Sequence, residues 1–397
     1  MRHNLCMRIA PLLLFITVTA CGGRATQTTL PTSPAGVPAS DLAAAKSTPR
    51  SDTTDATHLA AKDPRVIDLD IIRVRANGTD KDMTSVASAD LFRDAGEAVK
   101  AGRTQEAMTR YRQLIAEFPD SIYAPVSLFN IAAIFDQQGN MPDTIATLRE
   151  LVKTYPDAHE SIEGHLFIAA IQADHQQFAD AAKTLDEVLA RQNLTFADRI
   201  EAHARKGYVE LEQKHYDAAD GELTAAIAEW RKAPHIEDPY YIAMAHYYRG
   251  ELMHRKFREA PVRRGDDEMV ADLEAKRALA ARAYDRWRES LGFKQAYWAT
   301  ASGYQMSQIF VELWEAHVKA PYPQRIDVAT RPTYVGDVHA RVRQDLEKAL
   351  EGHRMNVELA KAYGVDTEWS KGSERQAVAI LELLAKDTAG SYVTPAN

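Results

Sequence analysis

Residues 89–156 read ADLFRDAGEAVKAGRTQEAMTRYRQLIAEFPDSIYAPVSLFNIAAIFDQQGNMPDTIATLRELVKTYP, and this stretch decides the fold. Leu91, Ala95, Gly102, Ala107, Tyr111 and Pro119 recur as Leu128, Ala132, Gly139, Thr144, Leu148 and Pro156. Phe135 adds an aromatic to the second set. Apolar residues fall at helical spacing on either side of each glycine, so each set predicts two helices joined at a tight turn. Small residues stand where two helices must approach closely, and aromatics fill the space between hairpins. One hairpin cannot bury its apolar face, whereas three or more stacked hairpins can.

The pattern continues with a period of roughly 34 residues. Phe178 precedes Ala181, and Tyr216 precedes Ala219, at the same offset. Gly207 and Gly250 take the small position of the first helix in units four and five. The second helix of unit five is displaced to about 271–291, with Ala283 and Trp287 in place of the usual alanine and aromatic. Trp298 begins another long helix reaching about Lys319. Asp337 begins one that runs to Tyr363 and ends at Gly364, with an apolar stripe of Val342, Leu346, Leu350, Val357 and Ala360. Ser373 and Gln376 have the spacing of a capping box before an apolar run, 377–384. These last helices would close the stack.

These positions resemble the tetratricopeptide repeat (TPR) consensus, with Thr144 departing from its usual alanine. The resemblance implies an all-α, TPR-like solenoid of hairpins with a C-terminal helical cap, and it implies protein partners. It also implies a groove lined by first-helix residues: Phe92, Phe129, Asp136, Leu166, Tyr208, Tyr247, Glu251 and His254. The basic clamp by which some TPR proteins hold a peptide carboxylate is missing, since Val126, Glu163 and Glu201 stand in its place. His165, His203 and His246 share one repeat position. A metal relay is one reading of that column. Helices 8–10 Å apart would rarely bring such side chains onto one ion, so packing or hydrogen bonding is favoured.

Outward from the repeats, 65–75 alternates apolar and polar residues, with Ile67, Leu69 and Ile71 on one face, and Asn77-Gly78 follows as a turn. The segment 63–87 is therefore a short β or extended element, laid against the first helices or offered to a partner by strand addition. Residues 21–62 are rich in Ala, Thr, Ser and Pro, with too little apolar bulk to offset their ordering entropy; they read as a disordered tether. At the N-terminus, Arg2 and Arg8 precede an apolar run, 9–19, too short to span a bilayer. Val18-Thr19-Ala20-Cys21-Gly22 resembles a bacterial lipobox, which implies cleavage after residue 20 and lipid on Cys21. Several acyl chains anchor firmly. Gly22 in place of Asp points to the outer membrane, facing the periplasm.

The chain divides into a signal peptide (1–20), lipidated cysteine and tether (21–62), extended segment (63–87), repeats (88–325) and capping helices (326–397). Its formal net charge of −8 gives it no general attraction for nucleic acid. With Cys6 in the signal peptide, Cys21 alone remains, which excludes an internal disulfide. No HExxH, P-loop, nucleophile elbow or dinucleotide fingerprint occurs, so no catalytic, cofactor or metal residues are assigned. Lipobox, tether and repeats together resemble outer-membrane TPR lipoproteins of envelope assembly, division, secretion or gliding motility. The leading reading is a non-enzymatic scaffold for envelope proteins. The alternatives are a lipid or small-ligand carrier, which needs an enclosed apolar cavity, and a helical wall-acting enzyme, which needs converging buried carboxylates.

Overall fold

The computed structural model describes residues 72–76, 83–233 and 235–395. The signal peptide, Cys21, the tether and residues 63–71 lie outside the described residues. Strands β1 (Ile72–Ala76) and β2 (Met83–Ala87) pair antiparallel, with Ile72 opposite Ala87 and Ala76 opposite Met83. The remainder is helical. The first four helix pairs are α1 (Ser88–Lys100) with α2 (Thr104–Glu117), α3 (Tyr123–Gln137) with α4 (Met141–Thr154), α5 (His159–Asp174) with α6 (Phe178–Leu189), and α7 (Phe196–Glu212) with α8 (Tyr216–Lys232). They start at Ser88, Tyr123, His159 and Phe196, so the repeat is 35 to 37 residues long, slightly more than the sequence period suggests. A longer pair follows, α9 (Tyr240–Glu259) with α10 (Asp266–Gly292). The chain then continues through α11 (Ala296–Val318), α12 (Arg331–Tyr363) and α13 (Glu368–Thr388).

Each helix packs on the next in sequence. In addition, α1, α3, α5, α7, α9 and α11 touch one another in turn and form a continuous layer. This explains their unequal burial. In α3 every residue from Leu128 to Ile134 is buried, because α3 is covered by its own partner and by both neighbouring pairs. In α2 the buried Ala107, Tyr111 and Leu114 form one stripe at i, i+4, i+7.

The first-to-second-helix turns share one geometry. Gly102 and Gly139 are left-handed, with φ of 71° and 70°. Each N–H returns to the last turn, and the next residue's N–H reaches further back: Arg103 to Ala98 O at 2.8 Å, Asn140 to Phe135 O at 2.9 Å. This is the Schellman closure, which satisfies otherwise orphaned carbonyls. Units three and four form the same turn with Gln176 and Lys214 at φ of 60° and 63°.

The small positions also find their reason. Ala107, Ala181, Ala219 and Ala283 are fully buried. Thr144 is buried as well, and its hydroxyl donates to Asn140 O at 2.9 Å. The extra polar atom is thus satisfied within its own helix. A Cβ on Gly207 would lie 2.5 Å from Leu223 Cδ2, and one on Gly250 would lie 2.4 Å from the Trp287 ring.

Two expectations are corrected. Helix α12 begins at Arg331 rather than Asp337: Pro332 occupies the first turn, where its missing N–H costs nothing, and the apolar stripe starts only at Val335. Ser373 and Gln376 do not form a capping box. The box is Thr367 with Ser370, and Ser373 lies buried inside α13, where it accepts from Asn356 Nδ2 at 2.9 Å. Between α11, α12 and α13 the expected apolar stripe is interrupted by His353 and Asn356, both buried. Asn356 Nδ2 also donates to Thr300 O at 3.0 Å.

Candidate functional site

The residues assigned to the groove all lie on the α1–α9 layer, but they divide into two sets. Phe92, Asp136, Tyr208 and Glu251 are half-buried, with part of each side chain at the surface. Phe129, Leu166, Tyr247 and His254 are buried, at 1%, 3%, 4% and 1% exposure. These four are closed off from the surface. The neighbouring pairs close over them, and they instead set the shape on which the first set rests.

The half-buried set shows how. Phe92 stacks on Tyr123 at 5.0 Å and tilts against Tyr111 at 5.8 Å, bridging units one and two. Phe129 backs onto Phe167 at 6.2 Å. Tyr208 meets Phe178 edge-on at 6.3 Å and Tyr248 at 4.7 Å. Tyr247 continues this chain through Tyr248 to Trp298, 5.1 Å away. The structure therefore brings Tyr208 and Tyr247 into one aromatic cluster centred on Tyr248 and Trp298, and it keeps Phe92 in a separate cluster.

The polar members are electrostatically strained in a readable way. Burial, and then the nearby Asp174, push the Asp136 carboxyl above its ordinary value. Burial, with Glu212 and Asp174, raises the Tyr208 hydroxyl. His254 Nε2 lies 2.8 Å from Glu312 Oε2, and Arg258 Nη2 donates to Glu312 Oε1 at 2.6 Å. Burial opposes charge on Glu312, but the hydrogen bonds and charges of His254 and Arg258 outweigh it and hold the carboxyl down at about 2. Burial likewise opposes charge on His254, and its bonds to Glu251 and Glu312 reverse that effect, so its imidazole is raised. His254 thus joins α9 to α11 through Glu312.

The histidine column consists of three separate local contacts. His165 Nδ1 lies 3.1 Å from Ser161 O, His203 Nδ1 2.7 Å from Glu222, and His246 Nδ1 2.8 Å from Glu289. Of the residues at the clamp positions, Glu201 accepts from Arg205, a buried arginine that also donates to the Tyr241 hydroxyl at 2.7 Å. The charged segment 255–268 is tied into the fold. Arg255 donates to Leu211 O and to Glu212, and Arg263 grips Asp272 through its backbone N–H and its guanidinium.

Sequence reasoning missed Glu312, Tyr248 and Trp298 as organising residues. Trp298 stood in the sequence as the start of a helix, and its distance from Tyr247 gave no sign that the two rings meet. Among the described residues, no helix is long and apolar enough to cross a membrane.

Residues 76–237 match the family model of the tetratricopeptide repeat-like domain. No curated protein matches the chain. Similar solved structures include MamA from Desulfovibrio magneticus RS-1, at 15% identity over 51% of this chain and 96% of that one, with a TM-score of 0.34. The apo form of RapI is similar at 12% identity over 75% and 99%, with a TM-score of 0.40. A tetratricopeptide repeat protein from Parabacteroides merdae is similar at 12% identity over 73% and 98%, with a TM-score of 0.34. The matched residues run from the end of β1 through α8, so the four regular helix pairs with their shared turn make up a tetratricopeptide repeat-like domain.

Proposed function

We propose that this protein is a non-enzymatic scaffold that holds partner proteins of the bacterial envelope, tethered at the outer membrane by lipid on Cys21 and facing the periplasm. The observation that carries the scaffold reading is the tetratricopeptide repeat-like domain itself, whose stacked hairpins offer a long, continuous helical layer. Partner contacts use the accessible set Phe92, Asp136, Tyr208 and Glu251. The buried aromatics behind them hold that surface rigid, which lowers the ordering cost of binding. The lipobox-like residues Val18 to Cys21 support the anchor. The partners belong to a complex of assembly, division, secretion or motility, in which a tethered scaffold raises the local concentration of what it binds.

The anchor and the scaffold are tested together. Membranes from cells carrying wild-type protein or Cys21→Ser are labelled with radioactive fatty acid, crosslinked and purified through the protein. Wild type should carry label and bring down a defined protein set, and Cys21→Ser should remain an unlabelled precursor. Equal labelling of the two would overturn the anchor. A folded wild type that brings down no protein would overturn the scaffold.

A further inference from the structure

In a stack of hairpins, each pair is covered by the next one. The α12–α13 hairpin is the last in the described chain. One side of it packs on α11. Its other side carries a trough of about 870 Å³. Leu350, Val357, Leu359 and Ala377 line it, and Met355 stands at its edge with 64% exposure. Val378 and Leu381 extend the apolar face along α13 at 59% and 44% exposure. Among the described residues the C-terminal stretch is held elsewhere: Tyr392 tilts against His339 at 4.7 Å, and His339 Nε2 lies 2.8 Å from Val393 O, near the start of α12.

Carboxylates outnumber cations in the lining of the trough. Glu347, Glu351, Glu358 and Glu374 line the trough, against the single cation Arg354. Glu347 meets Arg343 at 3.0 Å and Glu358 meets Lys361 at 2.8 Å, both as exposed pairs within one helix. Such pairs hold weakly and exchange readily for a better partner.

We infer that this trough is a docking site for an amphipathic helix of a partner protein, with an apolar stripe flanked by lysine or arginine. Its occupant lies where the next helix of the stack would lie. Two neighbouring helices present a groove that a third fills by its i, i+3, i+4, i+7 ridge. From Glu347 to Ala362 the groove runs about 22 Å, or four helical turns, which suits an apolar stripe of about 15 residues. The acidic rim selects a basic helix over an acidic one. It also disfavours anionic lipid headgroups and a second copy of this chain, because a two-fold pairing would set one acidic rim against another. This site lies outside residues 76–237 and stands independently of the function proposed above.

The test uses the full-length protein and two fluorescent helical peptides of about 18 residues with the same leucine stripe. One has lysines on its flanks and the other has glutamates. Binding is followed by fluorescence anisotropy, with circular dichroism confirming the fold of each variant. The lysine peptide should bind saturably and more weakly as salt rises, and the glutamate peptide should not bind. Met355→Lys and the pair E351K/E374K should each weaken the lysine peptide at least about tenfold, and these positions are exposed enough to leave the core intact. Absence of binding, equal binding of both peptides, or indifference to all these substitutions would overturn the proposal. So would a wild-type dimer in sedimentation that Met355→Lys dissociates, since the occupant would then be a second copy.

Discussion

At Gly250 an added methyl carbon would sit 2.4 Å from the Trp287 ring, and at Gly207 it would sit 2.5 Å from the end of Leu223. Leu223 and Trp287 are both fully buried, so neither neighbour can move aside freely. Gly250→Ala and Gly207→Ala should therefore each cost ~1–3 kcal/mol, as read by urea denaturation. A neutral effect at either position would mean that the helix contact there is looser than described. The residue scale also explains what the sequence concealed. Gly102 and Gly139 announce their turns, but Gln176 and Lys214 adopt the same left-handed backbone at a cost of ~1–2 kcal/mol each without any glycine to mark it. Gln176→Gly and Lys214→Gly should accordingly stabilise the protein, by up to ~1 kcal/mol each once glycine's own entropy is charged against the gain. Destabilisation by both would contradict the assigned turn geometry.

At the scale of elements, the regular hairpins were legible because alanine, glycine and proline recur where close contact and chain reversal demand them. Helix α12 was legible only in part. Its apolar stripe predicts packing by Leu346 and Leu350, which are buried, but Val357 lines the open trough instead. The buried positions at that level are His353 and Asn356, residues that a hydrophobic pattern assigns to solvent. Burial holds the His353 imidazole down at about 4, against 6.5 when the chain is unfolded. Its folded value is depressed, so the unfolded chain takes up the proton first. Stability from this group is fully present above about pH 6.5 and is lost as pH falls toward 4. Thermal midpoints measured from pH 7 to 4 should fall, and His353→Gln should remove part of that slope, worth about 3 kcal/mol at most. An unchanged slope in a folded variant would show that His353 is not the group responsible. His165, His246 and His317, whose imidazoles burial also lowers, would then be the next to replace.

For the whole molecule, helix order and pairing followed from the repeat register, while the lining of the groove did not. A repeat consensus assigns an inward direction to each first-helix position, but it does not tell how tightly successive pairs close. Here they close over Phe129, Leu166, Tyr247 and His254 and leave Phe92, Asp136, Tyr208 and Glu251 accessible. Glu312 was invisible for the same reason: it meets His254 only because α9 and α11 come together in the stack. The claim that this layer receives protein partners is tested most directly by site-specific photocrosslinking in living cells. A photoreactive amino acid is placed in turn at Phe92, Asp136, Tyr208 and Glu251, and at Lys183, an exposed position on α6 in the other layer. The account predicts that at least two of the four inner positions capture one and the same protein, identified by mass spectrometry, and that Lys183 does not. Capture at Lys183 alone, or at none of the inner positions in a protein that remains folded, would contradict it.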